Sequence, residues 1–386
     1  MRWIGVVAAV AVAVGLGGQA VAAPGGQGAA GVRQAMGEVV AAGGVGVVVR
    51  VNDRRGVWVG SAGARELGSS VQPLPGGRFR AGSITKTFVA TVVLQLVGEG
   101  KVRLDEPVAD HLPRFGLDRR ITVRMLLQHT SGLFNYTGDV KADGTPDPGL
   151  PLWGREYVDN LFRTYEADDL VRTALAKPAR FEPGARYAYS NTNYALLGLL
   201  IEKVTGTEYA TQVERRILKP LGLHGTTLPG TRTGIPGPHA RGYMAFPENG
   251  RLQVVDITRM NPSWAGAAGE IISTTRDLDA FLTALLGGRL LRPDLLAQMR
   301  TSLPTPVPGE QIGLGLFRND FAPGCTAFGH TGGTQSATSY MYSTADGARR
   351  IEFSITHGAI DPFDPATRQR FEAAHKKLAA TALCDE

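Results

Sequence analysis

No block of lysine or arginine interrupts these 386 residues, although the formal net charge is +6. That even spread excludes a nucleic-acid arm and a polybasic membrane patch, so no nucleic-acid partner is expected. Histidine is scarce, seven in all, with no His-Glu-x-x-His and no helical pair beside a carboxylate, so no metal is implied. No glycine-rich phosphate loop follows a strand, and no cofactor is expected. Cysteine occurs only twice, at Cys325 and Cys384, neither with the neighbours of a catalytic thiol or zinc site. Long apolar runs are missing except at the start, where Arg2 precedes an apolar stretch from Trp3 to Leu16 and small residues from Ala20 to Ala23. That stretch falls short of the roughly 20 residues of a spanning helix, so no stable membrane span is expected. The layout is that of a secretory signal over residues 1–23, which makes the protein secreted. In an exported chain the two cysteines are expected to pair, at a loop-closure value on the order of 4 kcal/mol.

What is present is 43% hydrophobic and 20% charged, enough to bury a substantial core. Two β-rich runs, Val45 to Val51 and Gly56 to Gly63, flank Asn-Asp-Arg-Arg and read as a hairpin. A second hairpin is expected late, from Gly329 to Thr344 and from Arg349 to Gly358 across an Ala345-Asp346-Gly347 turn. Between them lie helical periods separated by Pro- and Gly-rich loops, and a last helix is expected from about Pro365 to Leu383. The fold class is therefore α/β of the α+β type. Strands from both termini form one antiparallel sheet flanked by helices, with a mostly helical insertion. The expected division is a single catalytic domain over 24–386, with a sheet subdomain of about 24–80 and 251–386 and a helical subdomain of about 81–250. A monomer is expected.

Three short motifs carry chemistry. After Ser83, residues Ile84, Phe88, Val89, Val92, Val93, Leu96 and Val97 leave almost no polar face, so the helix is buried and Lys86 lies in or beside a core. Positions i and i+3 share a face, so the Ser83 hydroxyl and the Lys86 amine can meet, and a desolvated lysine can take a proton. Tyr189-Ser190-Asn191 sits in a turn before a helix expected from about Asn193 to Val204. Its phenol can shuttle protons if cations stabilise the phenolate, and the Asn191 amide can bind a carbonyl. In Gly329-His330-Thr331-Gly332-Gly333, the glycines allow a substrate backbone to approach a strand, and His330 and Thr331 can both hydrogen-bond a ligand.

The order Ser-x-x-Lys, Tyr-Ser-Asn, His-Thr-Gly resembles the penicillin-recognising serine hydrolases. It is most similar to the group of Streptomyces-type D-alanyl-D-alanine carboxypeptidases, class C β-lactamases and related esterases. Supporting segments run from Leu126 to Leu133, from Ser263 to Phe281 and from Gly313 to Leu316. The resemblance implies that Ser83 forms an acyl-enzyme while Lys86 and Tyr189 exchange its proton, and that the Ser83 and Gly333 N–H groups hold the oxyanion. It implies that Asn191 holds the substrate amide, and that Phe134, Thr137, Trp264 and Gln335 join Thr331 and Gly332 in binding substrate. His129 is placed in a structural loop. His330 opens the third motif as in the carboxypeptidases, and an ordinary imidazole there predicts an acidic limb in the pH profile. Two positions depart from those enzymes: Gly333 stands where they carry threonine, and Phe317, followed by Arg318, where they carry arginine. Both would hold a substrate carboxylate. The first reading is a D-alanyl-D-alanine carboxypeptidase acting on peptidoglycan stem peptides and acylated by penicillins. A β-lactamase shares the acylation residues, and an esterase or D-amino-acid amidase is favoured by the lost carboxylate ligands. The expected partners are D-amino-acid peptides or β-lactams. A peptidoglycan binder without activity is the alternative of another class.

Overall fold

The computed structural model describes residues 27–141, 145–358 and 364–384. The expected signal segment lies outside them. The first hairpin forms where the two β-rich runs place it, β1 (Gly44–Asp53) pairing with β2 (Gly56–Gly63). Six later strands complete an eight-stranded antiparallel sheet: β3 (Leu303–Pro304), β4 (Glu310–Ile312), β5 (Phe317–Ala322), β6 (Cys325–Gly333), β7 (Ala337–Thr344) and β8 (Arg350–His357). Their spatial order is β2-β1-β8-β7-β6-β5-β4-β3. The two ends of the chain meet where β1 runs beside β8, Val49 facing Phe353.

One strand was not legible in the sequence. The run from Gly329 to Thr344 reads as continuous, but it folds as β6 and β7 with a turn at Thr334–Ser336. The Thr334 hydroxyl accepts the Ala337 N–H at 3.1 Å, a local bond that competes with the ladder.

Each face of the sheet is covered. On one, α1 (Gln27–Ala41) and α5 (Pro365–Leu383) bury Val32, Met36, Val39, Phe371 and Leu378 against Val47, Val49, Ile351, Phe353 and Ile355. On the other lie α2 (Thr85–Gly98), α3 (Asn191–Thr205) and α4 (Thr275–Leu286). Here Phe88 of α2 stacks on Phe281 of α4, centroids 3.6 Å apart, inside the largest apolar cluster. The helix α3 starts at Asn191, two residues earlier than expected, and ends at Gly206 with φ 72°. The expected boundary at residue 250 cuts through a hairpin, Tyr243–Glu248 paired with Arg251–Asp256. Cys325 of β6 and Cys384 after α5 lie at disulfide distance, Cα atoms 5.5 Å apart. Among the described residues, no helix is long and apolar enough to cross a membrane, and no group of three or more His, Cys, Asp or Glu is placed to hold a metal.

Candidate active site

Ser83 lies in a 3₁₀ turn, Gly82–Ile84, that leads into α2. That turn is pressed against the end of β6. A Cβ on Gly332 would fall 1.9 Å from the Ala81 carbonyl, and one on Gly82, φ 54°, would fall 2.9 Å from the Gly333 nitrogen. Only glycine permits this approach, which brings the backbone of Gly82, the residue before Ser83, against that of Gly333. Ser339 of β7 reinforces it by donating to the Ala81 carbonyl at 2.8 Å.

Three elements deliver the groups around Ser83. Lys86, one turn further along α2, is fully buried, and its Nζ lies 3.1 Å from Ser83 Oγ, 2.8 Å from Asn191 Oδ1 and 2.6 Å from the Ala268 carbonyl. Tyr189, just before α3, donates its hydroxyl to Ser83 Oγ at 2.8 Å. Asn191 donates through Nδ2 to Thr137 Oγ1 at 3.2 Å.

Burial holds the Lys86 amine well below the ordinary 10.5 of a lysine, because no carboxylate among the described residues accompanies it out of water. In its neutral form, which burial favours, the amine has two hydrogens and one lone pair. Asn191 Oδ1 and the Ala268 carbonyl can only accept, so they fix both hydrogens and leave the lone pair facing the Ser83 hydroxyl. Burial also raises the Tyr189 phenol above its ordinary 10.0, the Ser83 hydrogen bond opposing it. Tyr189 is therefore a neutral donor. Cations that would stabilise a phenolate were the condition set in the sequence reading, and the cation candidate over this ring, Lys86 at 4.8 Å from its centroid, is itself pushed toward neutrality.

His129 supports this cluster from behind. Its ring stacks on that of Tyr189 at 4.3 Å, and Nδ1 accepts the Ser190 N–H at 3.2 Å. Burial keeps it neutral, and it stands apart from Ser83 as a structural residue, in line with the resemblance.

The third motif behaves differently from its expectation. His330 is 1% exposed, packed edge-to-face on Phe317 at 4.9 Å, and its Nδ1 lies 2.5 Å from the Thr331 carbonyl. Burial, followed by the proximity of Lys86, lowers its pKa to about 3. An acidic limb near pH 6.5 from His330 is thus corrected: the ring is neutral across the ordinary range. Thr331 points to the opposite face of β6, where with Gly332 it lines a separate cavity of about 540 Å³ beneath α5. Phe134, expected in the pocket, is buried in the core, while its carbonyl accepts the Thr192 hydroxyl at 2.7 Å.

Beside Ser83 opens a cleft of about 910 Å³, lined by Thr137, Asn191, Trp264, Gly333 and Gln335 among others. Gln335 is already engaged, donating to the Leu152 carbonyl at 3.2 Å. The sequence reading missed Trp153 and three acids in its wall, Asp139, Asp147 and Glu156. Asp139 pairs with Arg180, and Asp147 with Lys177 at 2.8 Å. Glu156, exposed on the short helix Gly154–Asp159, makes no ion pair among the described residues. None of the described residues lining the cleft is a lysine or arginine. Arg318, beside the departing Phe317, is turned away into an ion pair with Asp320 at 3.0 Å. No motif marks Glu156 in the sequence; only the fold brings it to the cleft.

Known proteins resemble this chain in sequence and in fold. The family model described as Beta-lactamase matches residues 9–350. Penicillin-binding protein 4 of Amycolatopsis lactamdurans is 28% identical over 324 residues, 78% of this chain and 77% of that protein. In further curated relatives the matched part is 56% or 41% of the relative's own length. A D-stereospecific amidohydrolase from Streptomyces sp. superposes with a TM-score of 0.80 at 37% identity, covering 92% of this chain and 98% of that one. The D-amino acid amidase of Ochrobactrum anthropi SV3, complexed with L-phenylalanine amide, gives 0.77 at 28% identity, covering 92% and 98%.

Proposed function

The chain belongs to the Beta-lactamase family, whose fold and serine hydrolase chemistry it shares, and we propose that it hydrolyses amides of D-amino acids that carry a free α-ammonium group. The observation that carries this reading is the wall of the cleft: Arg180 and Lys177 balance Asp139 and Asp147, which leaves Glu156 as the one lining acid without an ion pair among the described residues, and no described lining residue is a cation. A carboxylate-terminated peptide or a penicillin would meet repulsion there, whereas an ammonium would be attracted. The order of preference from the sequence, carboxypeptidase first, is therefore reversed. The likeness to a D-stereospecific amidohydrolase and a D-amino acid amidase supports the same choice.

In this reading Ser83 Oγ bonds the carbonyl carbon as its proton moves to the Lys86 lone pair. The oxygen that becomes negative is held by the N–H groups of Ser83 and Gly333, a contribution of about 3 kcal/mol per donor to the barrier. The C–N bond then breaks, and the amine leaves with a proton relayed through Tyr189. Water repeats the sequence against the ester. Residues 24–386 act as one catalytic domain, outside the cytoplasm, with Cys325 and Cys384 oxidised. The leader-like start and the cysteine geometry support this placement.

The test compares kcat/KM for D-phenylalanine amide, its L enantiomer, N-acetyl-D-phenylalanine amide and a peptide ending in D-alanyl-D-alanine. The free D-amide should be preferred by about tenfold or more over each of the others, a difference of about 1.4 kcal/mol. Glu156→Gln should raise KM for it about fivefold, in keeping with an exposed ion pair. Preference for the carboxyl-terminated peptide, or indifference to N-acetylation, would overturn the reading.

A further inference from the structure

We propose that the cavity beneath α5 is the subsite for the leaving amine and that it accepts an aromatic one, a proposal that rests on the amide reading above. The cavity and the catalytic cleft share Trp153, Gly333 and Gln335 in their linings, so the two spaces adjoin at the end of β6, where Gly333 supplies one of the oxyanion donors of the amide reading. With the carbonyl oxygen held at Gly333, the two substituents of the carbonyl carbon diverge from that point. The acidic cleft suits the acyl half with its ammonium. The nitrogen side is then directed along β6 to Gly332 and Thr331, which line the second cavity and not the first.

The chemistry of that cavity is distinct. Phe321, Tyr340, Tyr342 and Phe371 form its walls, and its volume of about 540 Å³ is within the range that holds a drug-sized ring system. Aromatic walls favour an aromatic guest by offset or edge-on packing. Charge does not select against a neutral one, since Glu310 and Glu372 in the lining are matched by Arg368 and Lys376. His375, 3% exposed, also lines the cavity, and its Nε2 has no hydrogen-bond partner among the described residues. A buried polar atom left open in this way is suited to a polar substituent of a guest. The step itself is unchanged: the C–O bond to Ser83 forms, the C–N bond breaks, and the nitrogen departs with its bonding pair and one proton originating on Ser83.

The experiment follows D-phenylalanine amide and D-phenylalanine 4-nitroanilide in the full chain and in two variants outside the Ser83 cluster, Phe321→Ala and Val307→Trp. Phe321 is a half-buried wall residue, and Val307 is 45% exposed at the lining, where an indole would fill space. Both variants should lower kcat/KM for the anilide about tenfold and leave the simple amide within about twofold. An equal loss on both substrates, or no loss on either, overturns the proposal. Binding of 4-nitroaniline alone, followed by ligand-observed NMR, requires no turnover. It should be saturable in the unmodified chain and weakened in Val307→Trp, and its absence overturns the subsite. Failure of the parent reading would look different, as no hydrolysis of the simple amide while 4-nitroaniline still binds.

Discussion

Two fully buried ionisable side chains, Lys86 in the helical layer and Glu352 in the sheet, have met the same physics and ended in opposite conditions. Both are 0% exposed, and desolvation pushes both toward neutrality, Lys86 downward and Glu352 upward from 4.5. Lys86 has three partners, two of which fix its hydrogens and one of which is the Ser83 hydroxyl. Neither oxygen of Glu352 has a hydrogen-bond partner among the described residues; the cations near it are Arg50 and Arg350, and Arg350 is committed to Asp279 at 2.6 Å. Burial sets the protonation state, and directional partners decide whether the neutral group is usable as a base or is only a cost.

Removing the useful member should have the largest effect. Lys86→Met should keep the fold and lower kcat by about 10³-fold or more, since nucleophile and base act as a unit. Thermal unfolding alongside steady-state rates checks both halves.

Removing the other member should do the reverse. Glu352→Met should leave kcat unchanged and add about 1–2 kcal/mol at pH 8, as buried charged groups replaced by apolar ones often do. Its sign follows from linkage. A carboxyl whose folded pKa lies above the unfolded 4.5 costs nothing below that value, and the cost grows as pH rises toward the folded pKa. The gain should therefore shrink toward pH 4, as denaturant titrations at pH 4, 6 and 8 would measure. A gain independent of pH would tie it to packing alone.

The smallest effect should come from His330. Burial lowers its pKa to about 3, so His330→Gln should leave the midpoint of the acidic limb where it is, because Lys86 sets that limb. A midpoint that moves with the substitution would restore the charged histidine expected from the motif.

His330 also marks where the sequence stops being legible. Order and spacing of motifs located Ser83, Lys86, Tyr189 and Asn191, because local periodicity already placed Lys86 in a core and Asn191 at a helix start. The first hairpin and the last helix were equally plain, each carried by its own apolar pattern. Solvation is not local. His330 alternates along β6 as a strand residue should, but whether its face meets water depends on Phe317 and the helical layer packed across it. Glu156 was invisible for the same reason, since the short helix that carries it reaches the cleft only through tertiary packing. The turn at Thr334 was lost because a single side-chain hydrogen bond, not an apolar period, breaks the run.

The most direct test is the pKa of Lys86 itself, read from the side-chain carbon and nitrogen shifts of isotope-labelled lysine across a pH titration, with Lys86→Met supplying the assignment. One lysine signal should titrate well below 10.5, and the pH dependence of kcat/KM should share its midpoint. A Lys86 signal that titrates near 10.5 would mean that the amine is a buried cation at neutral pH, and the account of Ser83 activation would be wrong.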